Sequence, residues 1–393
     1  MVQGSRIVIR VGFVLTFDAT GWLGGISYFR NLLGALVSLP HPRITPVILA
    51  GTRTDAGVLA QFPAVPLVRS PLLDSDRPQW FFRRVVAKIL ARDIGLESVI
   101  RRHNIQVLSH QGFLGGLGNV PILGWIPDFQ EHHLPEFFSK AEIIARTRKR
   151  SLFCKVCSAV ILSSFDARCD LAELDEECVN KVKVLQFVAN VTAPHKEDSM
   201  KVAHRLGVKR SYFHLPNQFW RHKNHGVVVD ALRVLKDRGV SACVVASGNV
   251  TDHRHPGYFN ELMSRVRQAE VEDQFLTVGT VSYPDLLALM AGSIAVINPS
   301  RFEGWSTTVE EAKSMGKVVL LSDLRVHREQ APERGRYFSP DDAEGLAKVM
   351  EETLSTHDPG VDQKMIQEAQ EALPARLQAF ARRYEDVVLE LAV

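Results

Sequence analysis

The chain lacks any apolar run approaching the roughly 18–20 residues that a bilayer-spanning helix needs. Its longest, residues 317–321, is strand-sized. Met1 to Arg6 lead straight into the alternation Ile7-Val8-Ile9-Arg10-Val11, with no apolar core and small-residue cleavage site, so no secretory leader is expected. Cysteine is scarce: five in 393 residues, an odd number, which excludes a disulfide framework and fits a reducing compartment. Cys154-Lys155-Val156-Cys157 has no second pair or nearby histidine and lies in a helical pattern, so it reads as a buried structural pair rather than a metal or redox site. Charge of one sign is also missing. Lys plus Arg is 47, Asp plus Glu is 44, and the net charge is +3, which argues against a nucleic-acid binder. There is no repeat of 20–50 residues and no low-complexity tract. A cytoplasmic protein, peripheral at most to the inner face of a membrane, is expected.

What remains is an ordinary globular composition, 46% hydrophobic and 23% charged, long enough for two domains with a core each. Short β-branched runs alternate with longer helical patterns. The first series of strands falls at residues 7–13, 45–49, 106–108, 122–125, 159–162 and 183–187. The second falls at 211–215, 242–246, 275–278, 294–297 and 318–321. Helices are predicted at 25–39, 79–103, 141–157, 222–238 and 286–291. This alternation reads as parallel α/β, two Rossmann-like domains facing each other. The break at residues 187–194 marks a hinge. The expected division is 1–188, 189–372, and a terminal helix over 373–393 that crosses back to the first domain.

The richest stretch runs from Ile294 through Asn298, Pro299, Ser300, Glu303, Gly304, Trp305, Ser306 and Thr307 to Ala312. It reads as a buried strand, a short loop and a helix. Ligands of open parallel sheets bind outside the carboxyl ends of the strands. Gly304 permits close backbone approach. Ser306 and Thr307 stand at a helix N-terminus, where free N–H groups suit a diphosphate. Glu303 and Glu311 add carboxylates for hydroxyls on either side, and Glu310 reads as a neighbour nearer the surface. A nucleotide sugar has this form.

The segment resembles the E-x7-E signature of the retaining GT-B glycosyltransferases, the group 1 (family 4-like) enzymes. Glu303-Gly304-Trp305, Val309-Glu310-Glu311-Ala312 and Ser314-Met315-Gly316-Lys317-Val318-Val319 carry the likeness, with Lys317 in the usual proline position. Val278-Gly279-Thr280 and the stretch from Tyr212 to His225 extend it. The resemblance implies that Glu303 holds donor-sugar hydroxyls, that Glu311 holds the ribose, and that the backbone of Gly304, Trp305, Ser306 and Thr307 meets sugar and diphosphate. It places Lys223 at the departing diphosphate. The family's arginine position holds Asn217 or Gln218 here, with Arg221 as a further source of charge. Gly248, after a strand in Ser247-Gly248-Asn249, is a candidate contact for base or ribose. Ser322-Asp323 through Glu329 reads as structural.

In the first domain, Phe17 to Trp22 lead to Gly24-Gly25, whose N–H groups open a helix toward a diphosphate. This resembles the family's GG-loop. It is not G-x-G-x-x-G, which argues against a dinucleotide oxidoreductase. In the loop after residues 122–125 the family often has a histidine; Pro127 stands there, and Asp128 becomes the first candidate at the reaction centre, with His132 and His133 second. Ser109-His110 end the preceding strand and are candidates for the same cleft. Residues 77–92 are basic, with aromatics at their start, and suit either a membrane surface or a solvated domain helix.

The implied activity is metal-independent, retaining transfer of a sugar from a nucleoside diphosphate sugar to a glycan or lipid-linked glycan, with no cofactor. The alternatives are a nucleotide-sugar epimerase of GT-B fold and a non-catalytic nucleotide-sugar binding protein.

Overall fold

The computed structural model describes residues 8–15 and 23–392. They form two compact units. Met1–His132, Ser139–Val188 and Ala375–Val393 make up unit 1; His133–Phe138 and Ala189–Pro374 make up unit 2.

Unit 1 is built on seven parallel strands: β1 (Ile9–Leu15), β2 (Ile44–Ala50), β3 (Leu67–Arg69), β4 (Val107–His110), β5 (Ile122–Ile126), β6 (Ala159–Leu162) and β7 (Val182–Val184). Their spatial order is β3-β2-β1-β4-β5-β6-β7. Unit 2 has six: β8 (Phe213–Leu215), β9 (Val244–Ser247), β10 (Phe275–Gly279), β11 (Val296–Asn298), β12 (Val319–Ser322) and β13 (Gly335–Phe338), in the order β10-β9-β8-β11-β12-β13. The central strands are aliphatic on both faces because helices cover both faces. Each sheet has its own core: Val14, Leu49, Leu108 and Leu162 in one, Phe213, Val244, Ile297 and Leu320 in the other.

Two strands escape the sequence pattern. β3 and β13 are edge strands of three and four residues, with Leu67 and Arg69 exposed, so neither shows a continuous apolar run. The helix predicted over 79–103 is two helices, Pro78–Leu90 and Ile94–Arg102. Ala91 turns left-handed (φ 50°) between them, and Asp93 caps the second by accepting from the Leu96 N–H. Likewise Asn224 (φ 57°) interrupts residues 222–238, leaving a 3-10 turn at Arg221–Lys223 and a helix at His225–Asp237.

The CxxC expectation is corrected. Cys154 is disulfide-bonded to Cys178, 24 residues on, and Cys157 is a separate, buried thiol. Cys157 caps the C-terminus of the helix Lys140–Val156, its N–H donating to the Phe153 carbonyl, and is buried in the same core cluster as Phe153.

The last helix, Pro359–Ala392, runs 34 residues through Pro374, and the two units divide there. Proline removes a helical N–H and crowds the preceding turn, so a division at this residue has a local cause. In unit 1 the Tyr384 hydroxyl donates to Ser109 Oγ (2.7 Å), and Glu385 accepts from the Arg43 backbone N–H (2.7 Å). In unit 2 the first turn supplies Asp362 to Lys317, whose Nζ also donates to the Ser293 carbonyl (2.7 Å). The lysine in the family's proline position is therefore a buried tie to the terminal helix. Burial pulls its pKa down, against the pull of Asp362.

Candidate active site

In unit 2 the strand order reverses between β8 and β11, and a sheet of this kind binds ligands outside the strand ends at such a switch point. The loops after those two strands carry most of the predicted residues. After β8 the chain passes Asn217 and turns at Arg221–Lys223; after β11 it passes Ser300 and Glu303 before the helix Thr307–Ser314.

Lys223 and Glu303 meet there. Lys223 Nζ lies 2.7 Å from Glu303 Oε1, with the two side chains 16% and 10% exposed. Ser300 Oγ lies 2.6 Å from the same oxygen and 2.8 Å from Asn298 Oδ1. Asn298 Nδ2 donates to Ser306 Oγ (2.7 Å), and Asn217 Nδ2 reaches Asn298 Oδ1 at 3.4 Å. One hydrogen-bonded network thus ties the two loops together and orients the carboxylate. Burial by itself raises the Glu303 pKa. Lys223, His327 and the hydrogen bonds from Lys223 and Ser300 outweigh it, so the carboxyl stays below its ordinary range and ionised. His222, beside Lys223, is pushed down to about 3, by burial first and by Lys223 second. His327 is also pulled down, with burial the leading cause and Glu303 opposing it. Its Nδ1 donates to the Ser322 carbonyl at 2.8 Å.

Glu311 is 3% exposed and accepts from the Tyr283 hydroxyl at 2.9 Å. Glu310, read as nearer the surface, is corrected: it is 1% exposed and accepts from Gln330 Nε2 (3.2 Å), because the helix Arg325–Gln330 packs over it. The same Gln330 takes the Ser306 N–H (3.1 Å) through Oε1. The N–H expected to be free at Ser306 is therefore engaged. Ser306 instead caps the helix, with Oγ accepting from the Val309 N–H, and Thr307 opens it. Gly304 and Trp305 are half-buried in the loop before the cap.

Gly248 follows β9 at φ 152°, and a Cβ there would come 2.4 Å from the Asn217 carbonyl oxygen. Only glycine allows these two loops to close on each other. Arg221 is exposed. Its N–H donates to Asp252 (3.1 Å) and its guanidinium lies over the Phe137 ring at 5.6 Å, so it does not join the Lys223–Glu303 pair.

In unit 1, Gly24 and Gly25 lie in the first turn of the helix Leu23–Val37, Gly25 buried and Gly24 exposed; residues 17–22 before them fall outside the described residues. Asp128 follows β5 and is held by Arg146 Nη1 at 3.0 Å, which also lies 3.0 Å from buried Glu131. His132 is exposed and meets Glu173 (3.2 Å); His133 is exposed and stacks near Phe302. His110 is corrected as a cleft residue. It is 0% exposed, bonded to Tyr28 (2.9 Å) and Ser109 (2.7 Å), and burial pushes it down to about 3. Its backbone is left-handed (φ 74°), which turns the ring inward among Tyr28, Phe29 and Trp125.

The sequence pattern assigns no role to Ser300, Asn298, Tyr283, Gln330, Arg146 or Glu131. Ser300 and Asn298 sit within the quoted loop, and their short polar side chains just after a buried strand were a usable signal. Tyr283 and Gln330 reach the site from other helices, and no local pattern reveals them.

Residues 197–372 match the model of the family Glycosyl transferases group 1. The O-antigen chain mannosyltransferase RfbU of Salmonella typhimurium is 24% identical over 217 residues, spanning 55% of this chain and 56% of that protein. This chain therefore covers only about half the length of that curated relative. Among solved structures, a glycosyltransferase from Rickettsia africae is similar over 98% of each chain, with 17% identity and a TM-score of 0.67. HepE of Anabaena, solved in complex with UDP and glucose, is similar over 97% of this chain and 99% of its own, with 16% identity and a TM-score of 0.69. The chain thus shares the two-domain GT-B fold of these structures, and its residues 197–372 match the group 1 glycosyltransferase model.

Proposed function

We propose that the protein is a retaining, metal-independent glycosyltransferase that moves a sugar from a nucleoside diphosphate sugar to a glycan or lipid-linked glycan at the cytoplasmic face of a membrane. The observation that carries this reading is the Lys223–Glu303 pair at the switch point of unit 2. A leaving diphosphate needs a positive charge fixed in place, and a sugar needs an acceptor for its hydroxyls. Lys223 supplies the first without a metal. Glu303, kept ionised and aimed by Ser300, supplies the second. Glu311, held by Tyr283, takes the ribose hydroxyls, and the backbone of Gly304, Trp305 and Thr307 meets sugar and phosphate. Asn217 and Gly248 shape the wall on the side of β8 and β9. Within unit 1 taken by itself, Gly24, Gly25 and Asp128 are the candidate contacts, with Arg146 Nη1 fixing the Asp128 carboxylate at 3.0 Å.

The reading is same-face attack, without a carboxylate nucleophile. The sugar passes through an oxocarbenium-like state, and the leaving diphosphate oxygen takes the proton of the incoming hydroxyl. Support for a nucleoside diphosphate donor comes from the UDP and glucose bound to HepE. Support for a surface-glycan acceptor comes from the O-antigen relative.

The test is transfer from a labelled nucleoside diphosphate sugar to glycan acceptors with a chelator present, reading the product's anomeric configuration by NMR. Retained configuration at an unchanged rate is expected. Inversion, or loss of turnover on chelation, overturns the mechanism. Donor turnover with no acceptor points to an epimerase, and donor binding without transfer to a non-catalytic binder.

A further inference from the structure

In most surface helices the apolar residues face in and the charges face out. The helix Pro78–Leu90 of unit 1 is the reverse. Its buried positions are Arg83 and Ala87. Phe81, Phe82 and Ile89 are 66%, 70% and 75% exposed, and Val85 and Leu90 are exposed beside them. Positions 78, 81, 82, 85 and 89 follow the i, i+3, i+4, i+7 spacing of one helical face. The outward stripe is therefore continuous and apolar.

A polar anchor holds the helix in this orientation. Arg83 Nε and Nη2 donate to the two oxygens of Asp93 at 2.9 and 2.7 Å, with Arg83 5% and Asp93 0% exposed. Arg83 also donates to the carbonyls of Leu72 (3.2 Å) and Gly112 (2.6 Å). A bidentate, buried pair fixes the rotation of the helix, and that rotation sends the phenylalanines outward.

The charges around the stripe have one sign. No carboxylate occurs from Pro78 to Arg92, while Arg84 and Lys88 are exposed, one turn apart. Arg84 lies over the Trp80 ring at 5.4 Å. The nearby acids are turned inward or engaged: Asp74 accepts from the N–H groups of Thr52 and Arg53, Asp76 pairs with Arg53, and Glu97 pairs with Arg92 and Arg101. An apolar stripe edged by free cations and an aromatic suits an interface that is apolar within and anionic at its rim. Lys and Arg stems lie along hydrocarbon and their heads reach the phosphates.

We propose that the helix Pro78–Leu90 is a docking surface for an anionic lipid bilayer, lying in the interface with Phe81, Phe82, Val85 and Ile89 toward the acyl chains and Arg84 and Lys88 at the phosphates. This deepens the reading of a lipid-linked acceptor by naming the surface that brings the enzyme to it.

The test is co-sedimentation of the full chain with vesicles of phosphatidylcholine alone, and of phosphatidylcholine with an equal part of phosphatidylglycerol. Wild type pellets with the mixed vesicles and much less with the neutral ones. Arg84→Gln and Lys88→Gln each lower the partition coefficient about five-fold, and added salt removes that difference. Phe82→Ser with Ile89→Ser abolishes pelleting. These side chains are exposed, so all variants keep the wild-type melting temperature and the wild-type response to nucleotide, and failure here leaves the donor-site reading intact. No binding to either vesicle overturns the proposal, as does binding that ignores these substitutions. A wild-type dimer that Phe82→Ser dissociates, with no vesicle binding, gives the stripe to a second copy of the chain instead.

Discussion

Lys223→Met isolates the electrostatics of the candidate site. The lysine and Glu303 form a pair 2.7 Å apart with little exposure. Removing one member of a buried pair leaves the other charge uncompensated, at about 3–5 kcal/mol. The Ser300 hydroxyl remains 2.6 Å from the carboxylate, so the lower end, about 3 kcal/mol, applies at pH 7. For a unit of this size that lowers Tm by roughly 6–12 °C. The dependence on pH has a definite sign. In wild type the folded carboxyl lies below its unfolded value, despite burial, because Lys223, His327 and Ser300 hold it ionised. Its stabilising contribution is full above the unfolded carboxyl pKa and is lost as pH falls through the folded one. In Lys223→Met, burial loses its main opponent and the carboxyl titrates higher, so the variant's deficit grows as pH rises from about 4 to 7. Calorimetry of both proteins across that interval reads the gap in Tm. A gap that narrows toward pH 4, with partial recovery in Lys223→Met/Glu303→Gln, is the expected result. A gap independent of pH, or absent, refutes the pairing as described.

Three further outcomes follow from the same geometry. Glu303→Gln keeps an acceptor for Ser300 and Lys223 but removes the charge, so kcat/KM for the donor falls about a hundredfold or more while Tm moves by a few degrees; equal damage to both places Glu303 outside the site. Gly248→Ala forces a Cβ to within 2.4 Å of the Asn217 oxygen at φ 152°, costing about 1–3 kcal/mol and weakening donor affinity as the loop shifts, and unchanged affinity in titration calorimetry removes that loop from the site. Tyr384→Phe removes one of the two hydrogen bonds of the buried Ser109 hydroxyl and leaves the one with His110, lowering stability by about 1 kcal/mol with donor affinity untouched; a change in affinity instead couples the terminal helix to the donor.

The two-sheet organisation was readable because strands buried on both faces appear as uninterrupted aliphatic runs, as in Val-Leu-Leu of β12 and Ala-Val-Ile-Leu of β6. β3 and β13 were not: Leu67 and Arg69 of β3 are exposed and β13 opens with Gly335 and Arg336, so neither reads as an aliphatic run. The breaks at Ala91 and Asn224 were hidden for another reason: neither is a glycine, and their left-handed backbones are set by what the flanking helices bury. At the site, Glu303, Gly304 and Glu311 stood out because a strand, loop and helix gather them locally. The partner of each is remote. Lys223 is 80 residues from Glu303, Tyr283 is 28 from Glu311, and Arg146 is 18 from Asp128. Only the reversal of strand order brings the loops after β8 and β11 side by side. The disulfide was concealed by the nearer cysteine, since Cys157 lies three residues from Cys154 in sequence but in the core rather than beside Cys178.

The central claim is that unit 2 holds a nucleoside diphosphate sugar through Glu311 and its surroundings. The most direct measurement is the thermal shift of wild type and Glu311→Ala against UDP-, GDP-, ADP-, TDP- and CMP-sugars. A ligand at a hundred times its Kd stabilises by about 2.7 kcal/mol, so one diphosphate nucleotide sugar raises the wild-type Tm by several degrees and leaves Glu311→Ala unmoved. An equal shift in both proteins, or none in wild type with any of the five, contradicts the account.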